Sequence, residues 1–258
     1  MENENEAARR LNRRAAHIFT FACLCLWGIY SSLVEAYVMP GPWSVAVRFT
    51  EFFSDANFIG HMFWSFFHIL VAITFSFSVG FMLALLPYYI PVARKAVDRR
   101  LTPFLNSFSG IGWTLLAVLW FGINDFTVIF AISMVLIPFA IINIREGLRQ
   151  LDNEILEMGE SFTRSGFKNL MLIIVPSLYP YLFATLRISF GVSWKVALTA
   201  ELFGGDRGLG YLLNLARQDF DTPLILVVIL IIIIFVYSTE RFIFNPIQNK
   251  LAEHNAGI

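Results

Sequence analysis

Long apolar runs constrain this chain more than any other feature. From Phe63 to Tyr89 there is no Asp, Glu, Lys or Arg, and a helix needs roughly 20 apolar residues to cross a hydrocarbon core. The runs are continuous and lack the period-two alternation of a barrel strand, so they read as helices. Composition agrees: 57% of the 258 residues are hydrophobic and 15% are charged, against about half and a quarter in soluble domains. The expected class is an all-α integral membrane protein, one transmembrane domain over residues 1–258 with a polar N-terminal segment, 1–16.

Six spans are predicted: His17 to Glu35, Phe63 to Tyr89, Pro103 to Phe121, Phe126 to Ile142, Leu172 to Leu202, and Leu224 to Tyr237. Pro223 suits the start of the last, where its missing N–H costs nothing. Lys and Arg set the orientation. Arg9, Arg10, Arg13 and Arg14 precede the first span; Arg94, Lys95, Arg99 and Arg100 follow the second. Arg145, Arg149, Arg164 and Lys168 follow the fourth, and Arg241 and Lys250 the sixth. The other side carries only Arg48, Arg207 and Arg217. Both termini are therefore expected in the cytoplasm. The run after Arg13-Arg14 shows no clear small-residue cleavage site and is read as a span rather than a leader. Net charge is zero, which gives no reason to expect nucleic acid. Cys23 and Cys25 point to different sides of a helix and read as small apolar residues.

Two outer loops have character of their own. Val38 to Ile59 holds Pro40-Gly41-Pro42 and then Val45, Val47, Phe49, Phe52 and Phe53, the pattern of a short interfacial helix. Gly204 to Thr222 holds Gly204, Gly205, Gly208 and Gly210, which favour tight turns and a mobile, gate-like loop. The 27 Phe residues are explained by lipid contact and packing.

Between the fourth and fifth spans lies a charged island. Glu154, Glu157, Glu160, Arg164 and Lys168 fall within about four helical turns. By charge pattern alone this is either a solvated connector or an acidic helix that docks on a soluble protein, with Phe162 and Phe167 as apolar contacts. The residues run Glu157-Met158-Gly159, then Thr163, then Ile173, Val175 and Pro176. This spacing resembles the EAA loop of ATP-binding-cassette importer permeases: Glu-Ala-Ala, three residues, Gly, nine residues, Ile-x-Leu-Pro. Glu157 matches the Glu, Met158 and Gly159 take the Ala positions, and Ile173 and Pro176 fall in register. Thr163 replaces the family glycine and Val175 the Leu. Trp113-Thr114, Leu119-Trp120-Phe121-Gly122, Leu186-Arg187-Ile188, Trp194-Lys195, Ala200-Glu201 and Gly208-Leu209-Gly210-Tyr211-Leu212 also look like the permeases of nitrate, sulfonate, taurine and bicarbonate importers. The likeness covers residues 60–245. Near the start of the third span, where the family has prolines, stand Ser109, Gly110 and Leu115; glycine still permits a kink there.

The resemblance implies a type I importer permease fold in the bacterial plasma membrane, moving a small solute by alternating access. Sulfonates, nitrate, bicarbonate and organic carboxylates are the implied cargo. It makes residues 148–170 a coupling loop, with Glu154, Glu157, Met158, Gly159, Glu160, Ser161, Phe162, Thr163 and Arg164 against an ATPase. It further implies two ATPase subunits that bind ATP and Mg, an external substrate-binding protein, and a second permease copy in a homodimer. The chain has no Gly-x-x-x-x-Gly-Lys-Ser/Thr, so it is expected to hold no nucleotide or other cofactor and to catalyse no hydrolysis itself.

Ionisable groups within spans are costly and so face protein or water. Arg187, Trp194 and Glu201 are seven apart on one stripe, with Gly191 and Lys195 beside it. These residues either line a pathway or, in the alternative, Arg187 snorkels, Glu201 marks the outer boundary and Lys195 pairs with a neighbouring chain. A cation at Lys195 on the pathway favours anions. Trp113 and Trp120 either line the cavity or pack. His61 and His68 lack further metal ligands nearby and read as structural. The rival function is a secondary transporter driven by an ion gradient, which calls for inverted repeats that the sequence does not show.

Overall fold

The described residues are almost wholly helical. The computed structural model describes residues 2–35, 37–151, 161 and 165–256. The helices are α1 (Glu2–Leu33), α2 (Pro42–Ser54), α3 (Ala56–Tyr89), α4 (Ala93–Ser107), α5 (Gly110–Phe121), α6 (Asp125–Arg149), α7 (Leu170–Ser177), α8 (Tyr179–Gly204), α9 (Leu209–Gln218) and α10 (Thr222–Thr239). α10 runs on through one π turn, Glu240–Phe244, into Asn245–Ala256. Among the described residues, three helices are long and apolar enough to cross a membrane: Ala56–Pro87, Asp125–Arg149 and Thr222–Lys250. Two bent pairs bring this to five, α4 with α5 and α7 with α8. The apolar part of α1, Ile18–Leu33, is shorter.

The spans differ from the sequence expectation in shape and in length. The third begins near Ala93 and bends by 86° between α4 and α5. Ser109 makes the break: its backbone is extended, and its hydroxyl accepts a hydrogen bond from the Gly112 amide at 3.3 Å, capping the new helix. Trp113 then closes the corner, buried, with its Nε1 donating to the Leu105 carbonyl at 3.3 Å. The fifth span bends by 61° between Ser177 and Tyr179. The fourth is also longer than expected and runs to Arg149.

The chain forms two compact units. One comprises residues Met1–Ile59 and Leu213–Ile231. In it α2 is the amphipathic helix the sequence suggests, with Val45 and Phe52 buried and Trp43 exposed. Trp27 Nε1 donates to the Pro40 carbonyl at 3.0 Å. Arg48 lies 2.9 Å from Glu51 and 2.6 Å from Asp221. Partial burial works against the Arg48 charge, and those two carboxylates overcome it, so its pKa rises.

The other unit comprises Gly60–Leu212 and Ile232–Ile258. Its centre is α6, against which α4, α5 and α8 pack, and α8 also packs on α5. Close approach rests on small residues, as in membrane bundles generally. Gly80 lies against Ala140, and a Cβ at Gly147 would stand 2.6 Å from Tyr181 Cγ. Val97, Leu105, Trp113, Ile137 and Ile141 form one buried cluster. Ala84, Ala140 and Ile144 form a second. Outward-facing side chains such as Met82 and Leu119 stay exposed, as lipid contact requires no further cover.

Candidate functional site

Two constellations lie on α8 within this unit. The first surrounds Glu201, which is fully buried. Its Oε2 accepts from Ser65 Oγ at 2.7 Å and from the Gly210 amide at 2.8 Å. Its Oε1 lies 2.9 Å from His68 Nδ1. The other ring nitrogen of His68 lies 3.1 Å from Asp125 Oδ1. A ring protonated on both nitrogens therefore satisfies both carboxylates. Asp125 Oδ1 also lies 3.4 Å from Arg207 Nε, and the Arg207 guanidinium sits 4.2 Å over the Trp64 ring. Arg207 donates to Asp206 as well, and this holds the Asp206 carboxyl below its ordinary value of 3.8.

The same network fixes the loop after α8. The Leu209 amide donates to Ser65 Oγ at 2.7 Å and the Gly208 amide to His61 Nδ1 at 3.2 Å. Gly208 has φ +108°, a conformation that side chains strain to adopt, and a Cβ there would overlap the Glu201 carboxylate. The Asn124 amide donates to the Gly204 carbonyl at 3.1 Å. The glycines thus serve a clamped turn leading into α9, not the free gate-like loop expected from composition. Glu201 belongs to this clamp: it is fully buried, and its carboxylate is engaged by Ser65, His68 and the Gly210 amide, so it is turned into the protein. His61 and His68 both hydrogen-bond within this network, and among the described residues no group of three or more His, Cys, Asp or Glu is arranged to hold a metal.

The second constellation is an open groove of 420 Å³ between α8 and the end of α10. Gly191, Trp194 and Lys195 line it from α8, and Ile232, Val236 and Glu240 from the other side. Its walls are almost wholly apolar. Trp194 is buried among Phe66, Phe190 and Phe235, with ring centroids 5.4, 6.3 and 5.3 Å away. Its Nε1 finds no hydrogen-bond acceptor. Lys195 is exposed and enters no ion pair among the described residues. Glu240 is already taken: Arg187 binds it through Nε at 2.7 Å and through Nη2, and Arg187 Nη2 also reaches Asn245 Oδ1 at 3.1 Å. Arg187 is therefore a neutralised tie between α8 and the π turn after α10, and Lys195 is the cation of the groove that has no ion-pair partner among the described residues.

Of the two tryptophans on α5, Trp113 is a packing residue at the bend, 4% exposed, while Trp120 is exposed and touches Phe121 and Phe130. Of the loop expected to meet an ATPase, Ser161 is helical and exposed. Glu154, Glu157, Met158, Gly159, Glu160, Phe162, Thr163 and Arg164 lie outside the described residues. Sequence reasoning missed Ser65, Asp125 and Arg207. A partial signal existed for one of them: His61, Ser65 and His68 stand at i, i+4 and i+7, one helix face.

The chain matches, over residues 7–249, the family described as binding-protein-dependent transport system inner membrane component. A protein named as an aliphatic sulfonates transport permease in Bacillus subtilis is 24% identical over 230 residues, 88% of this chain and 83% of that one. The bicarbonate transport system permease protein of Synechococcus elongatus is 27% identical, covering 81% of this chain and 79% of its own. The taurine transport system permease protein of Escherichia coli is 24% identical over 92% of each chain. Among solved structures, the inward-facing MetNI methionine ABC transporter superposes with TM-score 0.61 at 15% identity, over 72% of this chain and 90% of that chain. An amino acid ABC transporter does so with TM-score 0.59, also at 15% identity, over 80% and 96%. These structural likenesses establish the type I permease fold.

Proposed function

Because the chain belongs to the family of inner membrane components of binding-protein-dependent transport systems, we propose that it carries a small organic or inorganic anion inward through a pathway bordered by the Lys195 groove. The observation that supports an anion is Lys195 itself: an ammonium without a counter-ion among the described residues, beside an apolar groove. A bare ammonium at membrane depth costs several kcal/mol, and an anionic solute relieves that cost. The relatives named for sulfonates, bicarbonate and taurine point the same way.

In this reading the chain works with a second copy of itself, two ATPase subunits that bind ATP and Mg, and a binding protein that delivers solute from outside. The termini lie in the cytoplasm. The acidic loop around Glu157 rides on the ATPases and turns their closure into an outward opening of the pathway.

Co-purification from native membranes tests the assembly: an ATPase should travel with the permease. Transport in proteoliposomes with that ATPase and binding protein tests the anion site. Lys195→Met should lower uptake about tenfold or more while the complex still assembles, since removing a charge-assisted contact is worth roughly 1.5–3 kcal/mol. Undiminished uptake by that variant removes Lys195 from the pathway.

A further inference from the structure

At the opposite end of α6 from the Glu201 clamp is a smaller cavity of 240 Å³, lined by Ala84, Pro87, Arg94, Arg145, Leu148 and Arg149. Three guanidinium groups thus converge on one space where the ends of α3 and α6 meet the start of α4. We infer that this cavity binds the phosphate of an anionic phospholipid headgroup. Arg145 is the built part of the site. Its side chain is 14% exposed, and its Nη1 stands 2.8 Å from Asp98 Oδ1 without making a well-aligned hydrogen bond there. Asp98 is shared with Arg94, 3.8 Å away. Among the described residues Arg149 pairs with Glu146 alone, at 3.9 Å, and Glu146 is itself bonded to Gln150. Among those residues two carboxylates stand against three guanidiniums, an excess of one positive charge, and Lys95, Arg99 and Arg100 add to the field from the same segment.

The chemistry selects a phosphodiester with chains attached. Guanidinium groups bind phosphate in forked geometry. Basic cavities between spanning helices on the cytoplasmic side take lipid headgroups. Here Ala84, Pro87 and Leu148 line the same cavity, which gives the glycerol and first acyl carbons an apolar surface that free phosphate would leave bare. The inference uses the orientation proposed above, which turns this end toward the inner leaflet. It does not use the transport assignment, because lipid retention is measured on the purified chain.

The test is native mass spectrometry of the delipidated protein offered phosphatidylglycerol and phosphatidylcholine together. Wild type should retain phosphatidylglycerol preferentially. Arg94→Gln/Arg149→Gln, at two exposed side chains, should reduce that preference by at least about fivefold, the equivalent of one guanidinium near an anionic surface. Arg99→Gln/Arg100→Gln removes the same charge outside the cavity and should retain the preference. Equal losses in the two double variants would mean diffuse surface charge and overturn the site. Equal retention of both lipids by wild type, or binding of inorganic phosphate with no lipid preference, overturns it too.

Discussion

Glu201 and Gly208 depend on each other. The carboxylate occupies the volume a Cβ at position 208 would need, and the loop's φ of +108° there is tolerable because the residue is glycine. Gly208→Ala should therefore lower stability by about 1–3 kcal/mol, seen as a lower melting temperature in detergent. Glu201→Gln should cost roughly 3 kcal/mol, since it removes the one buried carboxylate that faces His68 and leaves the partly exposed Asp125. In a double-mutant cycle with Glu201→Ala, the Gly208→Ala penalty should shrink, because the clashing group is gone. Additive losses would show that the two residues act separately. Beyond the shared helix face of His61, Ser65 and His68, this was not legible in the sequence. Ser65 and His68 stand 136 and 133 residues from Glu201, so no local spacing announces the contact. An acid seven residues beyond a tryptophan on an apolar helix looks the same whether it faces a solute or a histidine.

At the scale of elements, the existence of the spans was legible and their shape was not. Hydropathy places a helix, but the 86° corner depends on Trp113 finding the Leu105 carbonyl. Ser109 and Gly110 allowed a break without setting its angle. The crossing of α6 and α8 is likewise a matter of one missing side chain. Gly147 sits under Tyr181, whose hydroxyl donates to Gln150 on the same turn as the loop entrance. Gly147→Ala should push the two helices apart and cost about 1–3 kcal/mol as an overpacked contact. Gly28→Ala, where nothing stands within 4 Å, should not lower stability. Thermal melts of the two variants side by side check the contrast, and equal melting points would discount the crossing.

For the whole molecule, the match over residues 7–249 places the chain among the inner membrane components of binding-protein-dependent transport systems, and the coupling role proposed for the loop around Glu157 belongs to this scale. The spacing of that loop was readable as a family resemblance, while most of its residues lie outside the described ones. Glu157→Lys should leave ATP hydrolysis by the assembled complex running while solute uptake falls to background. Parallel hydrolysis and uptake assays on one proteoliposome preparation separate this uncoupling from simple loss of assembly. Wild-type uptake by that variant would discard the loop's coupling role.

Gly191 borders the Lys195 groove with no heavy atom within 4 Å of where its Cβ would be. In a helix interior an alanine there is favoured over glycine by roughly 0.5–1 kcal/mol. Bulk can thus be introduced on this wall without taxing the bundle. With the pathway proposed above, cargo preference can drift at that position, toward narrower or shorter molecules, while the scaffold keeps its full margin against unfolding.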